Sequence, residues 1–163
     1  GLRVPNPFLA REANDGDREL DVVRALSSGI GPGTVAVIFA EGTRANPGKR
    51  TRALEKIAAR DPQRAARLAR LQRLLPPRPG GAAALLEGAP RADVILAWHT
   101  GFDGLDSFGG MIRRLAKPLP PVRFVVRRVP RGDVPSGEAF TEWLDVQWLV
   151  MDAEVDAALG ATA

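Results

Sequence analysis

The sequence predicts an α/β fold, and three observations predict it. Thr34 to Ala40 (Thr-Val-Ala-Val-Ile-Phe-Ala) is a short apolar run rich in β-branched residues, the pattern of a strand buried on both faces. Ala92 to Trp98 (Ala-Asp-Val-Ile-Leu-Ala-Trp) repeats that pattern as a second buried strand. Segments with helical spacing of apolar residues stand before, between and after these runs, which is the alternation of an α/β sheet.

The elements follow in order. Asp17 caps a helix running to about Ser28, with Leu20, Val23 and Leu26 inward and Gly29 closing it. Ile30 to Gly33 turns the chain into the central strand. That strand ends abruptly at Glu41-Gly42-Thr43-Arg44. Ala45 to Arg50 reads as a polar loop, and Thr51 to Arg60 as a helix with Leu54, Ile57 and Ala58 inward. Asp61-Pro62 restarts the helix, because Asp caps and Pro suits the first helical position. This second segment carries Ala65, Leu68, Leu71, Leu74 and Leu75 on one face. Arg64, Arg67, Arg70 and Arg73 recur every three residues as a basic stripe. The stripe reads as a solvated helix face; the functional alternative is contact with an anionic membrane surface or nucleic acid.

A proline-rich stretch, Leu74 to Gly81, precedes a short helix from Ala82 to Glu87. After the second strand, Asp106 caps a predicted helix over Ser107 to Ala116, and Pro118 to Pro121 breaks it. Val122, Phe124 and Val126 alternate with Arg123, Val125 and Arg127, as in a half-exposed strand. Pro130 to Pro135 is a loop. Ser136 caps a last helix with Phe140, Trp143, Leu144, Gln147, Trp148 and Met151 on one face.

Composition limits what this chain does. Its 163 residues suit one domain with a real core, and 45% hydrophobic with 26% charged residues is ordinary for a globular protein. It has no cysteine and 1 histidine, which excludes disulfides, thiolate metal sites and multi-histidine metal sites within it. The net charge of +4 favours anionic partners, although enrichment of Arg, Ala, Gly and Pro by GC-rich coding accounts for much of it. No window of 18 apolar residues predicts a membrane span, and no signal peptide is visible. Gly1 stands where a Met is usual, and the reading is of a chain cut from something longer.

The residues after the first strand carry the chemistry. Polar groups just beyond the carboxyl end of a buried strand are where such sheets bind ligands. Gly42 permits a sharp turn and close backbone approach. Arg44 offers forked donors suited to phosphate. Thr43 adds a hydroxyl, and Glu41 can accept from a substrate hydroxyl or fix the arginine. The plainer reading is a glycine turn with a solvated Glu/Arg pair.

Phe39-Ala40-Glu41-Gly42-Thr43-Arg44 resembles the F-P-E-G-T-R block of the glycerophospholipid acyltransferases, the 1-acylglycerol-3-phosphate acyltransferase family. Arg11, after Phe8-Leu9, matches the arginine of the family's second block, whose usual glycine is missing from its place. Leu75-Pro76-Pro77-Arg78-Pro79-Gly80-Gly81 after a helical insert, and x-V-x-V-R-R-V-P followed by W-L-x-x-x-W, are similar to the lysocardiolipin-acyltransferase-like branch. The resemblance covers nearly the whole chain and is strongest over residues 34–103. It implies the C-terminal part of an acyltransferase-like αβ domain, a mixed sheet flanked by helices, occupying 1–163 and truncated on its N-terminal side.

The implied reaction moves an acyl group from acyl-CoA or acyl-carrier protein to the free hydroxyl of 1-acylglycerol 3-phosphate or a related lysophospholipid. It belongs to phospholipid biosynthesis at the cytoplasmic face of a membrane, with no metal or other cofactor. Arg11, Arg44 and Arg78 would clamp phosphate, and Glu41, Gly42 and Thr43 would shape the acceptor site. The family's catalytic H-x-x-x-x-D is absent from residues 1–163. His99 has three residues before Asp103 and follows the E-G-T-R block, so it reads as a structural or loop histidine, and the catalytic pair is expected upstream of Gly1. The alternatives are a non-catalytic phosphate- or lipid-binding module and, last, a basic nucleic-acid-binding domain. No nucleic-acid motif supports the last, and nucleic acid is not the expected partner.

Overall fold

The computed structural model describes residues 16–42, 47–102, 112 and 121–160. Among them are five α-helices and two β-strands: α1 (Gly16–Ser27), α2 (Pro47–Ala58), α3 (Pro62–Leu68), α4 (Pro79–Gly88), β1 (Val94–Thr100), β2 (Arg123–Val129) and α5 (Glu138–Gly160). A single 3-10 turn at Arg131–Asp133 lies between β2 and α5. This mixture of helices and strands is compatible with the α/β class. The expected mixed sheet is, among the described residues, a two-stranded antiparallel ladder running from Val94↔Val129 to Thr100↔Arg123.

One face of that ladder makes the core. Leu96 and Trp98 of β1 pack on Met151, Val155 and Ala158 of α5, with Val125 and Val129 of β2 beside them. Lower on α5, Phe140 and Leu144 pack with Val134 against Ala82, Ala83 and Leu86 of α4. Trp148 borders both clusters and so joins the sheet side to the helix side. The Trp98 indole N–H donates to Glu154 at 2.7 Å, which satisfies the polar edge of a buried ring. The helix face expected from Phe140 to Met151 is thus the face that packs, and it continues to Ala158.

α1 packs on α4 through a glycine. A Cβ at Gly88 would lie 1.9 Å from Ser27 Oγ and 2.5 Å from the Arg24 carbonyl oxygen, so any side chain there would force the helices apart. Arg24 donates to Glu87 at 2.6 Å across the same seam. α1 begins at Gly16, one residue ahead of its expected cap Asp17, and Leu26 faces outward. α3 starts as expected: Pro62 opens it, and the Asp61 side chain accepts from the Arg64 backbone N–H at 2.9 Å.

Several expectations are corrected. Thr34 to Phe39 is not a buried strand. It has no ladder partner among the described residues, and Val35 and Phe39 are 80% and 83% exposed. A run of β-branched residues becomes a strand only when a neighbour takes its backbone groups, and the two strands described pair with each other instead. Only Ala40, at the end of the run, is buried. β1 is half-buried rather than buried on both faces, with Ile95 exposed. β2 turns its Val122-Phe124-Val126 side outward, because Val125 and Val129 face the core. The expected loop Ala45 to Arg50 overlaps α2, which already begins at Pro47. Of the helix predicted over Ser107 to Ala116, only Ile112 lies within the described residues, where it is helical and exposed. None of the described helices is long and apolar enough to cross a membrane.

The arginine stripe is the largest correction. α3 ends at Leu68, so the four arginines do not share one helix. Arg64 grips Asp145 of α5 with Nε and Nη2, both at 2.9 Å, and Arg67 donates to the same carboxylate at 2.9 Å. Asp145 is 0% exposed. Arg73 pairs with Asp156. Two helical turns on from Asp145, buried Asp152 accepts the backbone N–H groups of Gln72, Arg73 and Leu74 at 2.8, 2.8 and 2.7 Å. Arg64 and Arg67 therefore form an internal seam with Asp145, Arg73 makes a half-exposed pair, and only Arg70 keeps the solvated position expected of the stripe. Leu68, Leu71 and Leu75 are buried beside the seam, as their spacing suggested.

This seam sets a stability prediction. Asp145→Ala leaves two arginines facing a vacated buried site and should lower stability by about 3–5 kcal/mol. Asp156→Ala removes only a half-exposed pair and should cost less than about 1 kcal/mol. Urea denaturation of the two variants measures the difference; equal midpoints would refute the buried seam.

Candidate functional site

The end of the 34–40 run, the Pro76 to Pro79 loop and α2 enclose a cleft of about 600 Å³. Its polar lining is Glu41, Lys49, Arg52, Lys56, Arg64 and Arg78, and its apolar lining includes Ile57, Leu75 and three prolines. The chain builds it locally. Gly42 has φ 68, in the left-handed region that favours glycine, and its N–H closes a turn onto the Phe39 carbonyl at 2.9 Å. The Arg78 backbone N–H donates to the Ala40 carbonyl at 2.8 Å, which docks the proline loop on the run's end. The Arg78 side chain then lies over Gly42: a Cβ there would be 3.3 Å from Nη1 and 3.4 Å from Cζ. The turn is what needs a glycine; a Cβ there would ask the guanidinium end to shift by only a few tenths of an ångström.

Glu41, Gly42 and Arg78 are thus brought together, although 36 positions separate the last two in the chain. Gly81, in the first turn of α4, lies under Ile38 of the same run. Arg11, Thr43 and Arg44 lie outside the described residues. His99 is a β1 residue on the exposed face of the ladder, stacked on Phe124 at 5.7 Å and edge-on to Phe102 at 5.0 Å. It is absent from the cleft lining.

The cleft is strongly basic. Five cationic side chains and one carboxylate line it. Arg64 is committed to Asp145 and to the Pro77 carbonyl, at 2.8 Å. Arg52, Lys56 and Arg78 make no ion pair among the described residues. Clefts lined by one sign of charge concentrate the opposite ion, and an arginine fork suits a phosphate oxygen pair. Residues 49, 52 and 56 were not singled out by the sequence. Their i, i+3, i+7 spacing, which puts three cations on one side of α2, is the signal that could have found them.

Burial pushes the Glu41 carboxyl above the usual carboxylate range, against the Leu75 backbone N–H, which favours the ionised form. The nearby Trp148 indole N–H also favours that form, although it is buried without a well-formed hydrogen bond, and the charge of Asp152 works against it. Among the described residues, no group of three or more His, Asp or Glu side chains is placed to hold a metal ion. No protein-family model matches the chain, and no curated protein or solved structure does so either.

The Glu41 shift gives a pH prediction with a definite sign. With its folded pKa raised, the native state holds a proton that the unfolded chain has released, so stability falls as pH rises from the ordinary carboxylate value through the folded one. Glu41→Gln removes that loss. The stability advantage of the variant over the parent should grow between pH 4 and pH 7 in denaturant titrations. An advantage independent of pH would mean that Glu41 titrates normally.

Proposed function

We propose that the cleft binds the phosphate of a glycerolipid acceptor, as part of a 1-acylglycerol-3-phosphate acyltransferase-like enzyme of phospholipid biosynthesis. The observation that carries this reading is the Arg78 guanidinium resting on Gly42 in a basic cleft. Both residues belong to motifs that resemble the same family, and they come from separate parts of the chain. In this reading Arg78 holds the phosphate, joined by Arg44 and Arg11. Glu41 and Thr43 bound the acceptor, and acyl-CoA or acyl-carrier protein is the donor. Phosphate contacts of this kind orient the acceptor hydroxyl rather than perform chemistry. Work at the cytoplasmic face of a membrane belongs to the same proposal. The arginine stripe lends that part no support, since Arg64, Arg67 and Arg73 are paired with Asp145 and Asp156.

A second reading is a phosphate- or lipid-binding module without catalysis, favoured by the absence of H-x-x-x-x-D from residues 1–163. The two readings agree on binding and differ on transfer. For the chain of residues 1–163, short-chain lysophosphatidic acid should bind without acyl transfer from labelled acyl-CoA. Arg78→Ala should weaken that binding by about 1.5–3 kcal/mol, roughly ten- to a hundredfold. Calorimetric titration and a radiolabel assay check both statements. Unchanged affinity in the variant removes the phosphate role; robust turnover that disappears in His99→Ala would instead make His99 the general base.

A further inference from the structure

The 34–39 run is an open strand edge. Exposure alternates toward its end: Val37 is 76% exposed, Ile38 41%, Phe39 83% and Ala40 7%. A period of two is that of an extended chain with one side turned to the body, where Ile38 rests on Gly81. Both ends are pinned. The Thr34 N–H donates to the Gly31 carbonyl at 3.0 Å, and the Ala40 carbonyl accepts from the Arg78 N–H at 2.8 Å. Between these bonds, no backbone N–H from Val35 to Phe39 has a partner among the described residues. A row of free backbone groups on an extended chain is a template for another strand. The ladder is the other open sheet, but its β2 carries Arg123, Arg127 and Arg128, charges of the kind that guard an edge. The run carries no such guard: no residue from Gly29 to Ala40 is charged.

We propose that the strand this edge takes is the same run of a second copy, paired antiparallel about a two-fold axis at Val37. The run is self-complementary in that register. Val37 faces Val37, and Val35 faces Phe39 at either side, a β-branched side chain against an aromatic one. Outward residues then face outward residues. Centring on Ala36 instead would set Phe39 against Gly33, and centring on Ile38 would set Val35 against Glu41. About Val37, Glu41 faces Gly33, so no like charges meet although the chain carries +4. The contact is isologous and closes on itself. It is far smaller than the roughly 1,200–2,000 Å² of a stable interface, so the dimer forms reversibly with concentration. It stands apart from the phosphate reading, because none of Val35, Val37 and Phe39 lines the cleft.

Sedimentation of the chain of residues 1–163 over a hundredfold range of concentration should show a monomer–dimer equilibrium. Val37→Lys and Val37→Glu should each raise the dissociation constant tenfold or more, because the two-fold axis sets like charges face to face. An equimolar mixture of the two variants should return it to within threefold of the parent, since a lysine then faces a glutamate. Val126→Lys, on the exposed face of the ladder, is the control and should leave it within twofold. The chain has no cysteine, so a nitroxide on Val37→Cys reports this position alone. Facing residues of an antiparallel pair have Cα atoms about 4.5–5.5 Å apart. The dimer should therefore show strong dipolar broadening, which dilution with unlabelled chain removes. Thermal melts verify that each variant is folded. A chain that stays monomeric throughout, or a dimer indifferent to both Val37 charges, overturns the proposal. So does a loss that the mixture fails to recover, or an equal loss in Val126→Lys, which would place the contact on the ladder.

Discussion

Asp145, fully buried on α5, anchors the arrangement of this chain. A carboxylate without water is tolerated only when its lone pairs are taken by well-aligned cationic donors. Arg64 supplies two of these and Arg67 a third. Seven residues on, Asp152 accepts three consecutive backbone N–H groups after the end of α3. Those groups have no helical partner, and buried N–H groups left unpaired would be costly. One face of α5 thus carries both the apolar core and the two acids that hold residues 64–74 against it. Apolar contact alone would let this segment slide, whereas directional bonds fix its position.

The same bonds reach the cleft. The Arg64 guanidinium that holds Asp145 also donates to the Pro77 carbonyl. The next residue, Arg78, bonds through its backbone to Ala40 and lays its side chain on Gly42. The path from α5 to the cleft therefore runs through covalent neighbours and bonds of 2.8–2.9 Å. Arg64 lines the cleft but is occupied, which leaves Arg78, Arg52 and Lys56 as its cations without an ion pair among the described residues. The arginines that hold buried Asp145 and those that stand without an ion pair in the cleft lining are different residues among the described ones.

Local signals in the sequence were read correctly where the cause is local. Asp61-Pro62 starts α3 because capping and proline geometry involve only neighbouring residues. The apolar face of α5 follows from its helical period, and buried Leu68 and Leu71 follow from theirs. Features whose cause lies far along the chain were not legible. Thr34 to Phe39 has the composition of a strand, but pairing depends on a neighbour that composition does not name. The arginine stripe has the same period whether its partners are water or an acid 81 positions away. The motif residues Gly42 and Arg78 were named from a resemblance. Lys49, Arg52 and Lys56 were missed because three cations on one helix side look alike facing solvent or a cleft.

The central claim is that the Gly42–Arg78 junction is where this chain holds a phosphate. The most direct measurement is a crystal structure of the chain with glycerol 3-phosphate. The account predicts phosphate oxygens within hydrogen-bond distance, about 2.7–3.2 Å, of the Arg78 guanidinium, inside the cleft bounded by α2. A phosphate bound elsewhere, with Arg78 turned to solvent and Gly42 uncovered, would contradict it.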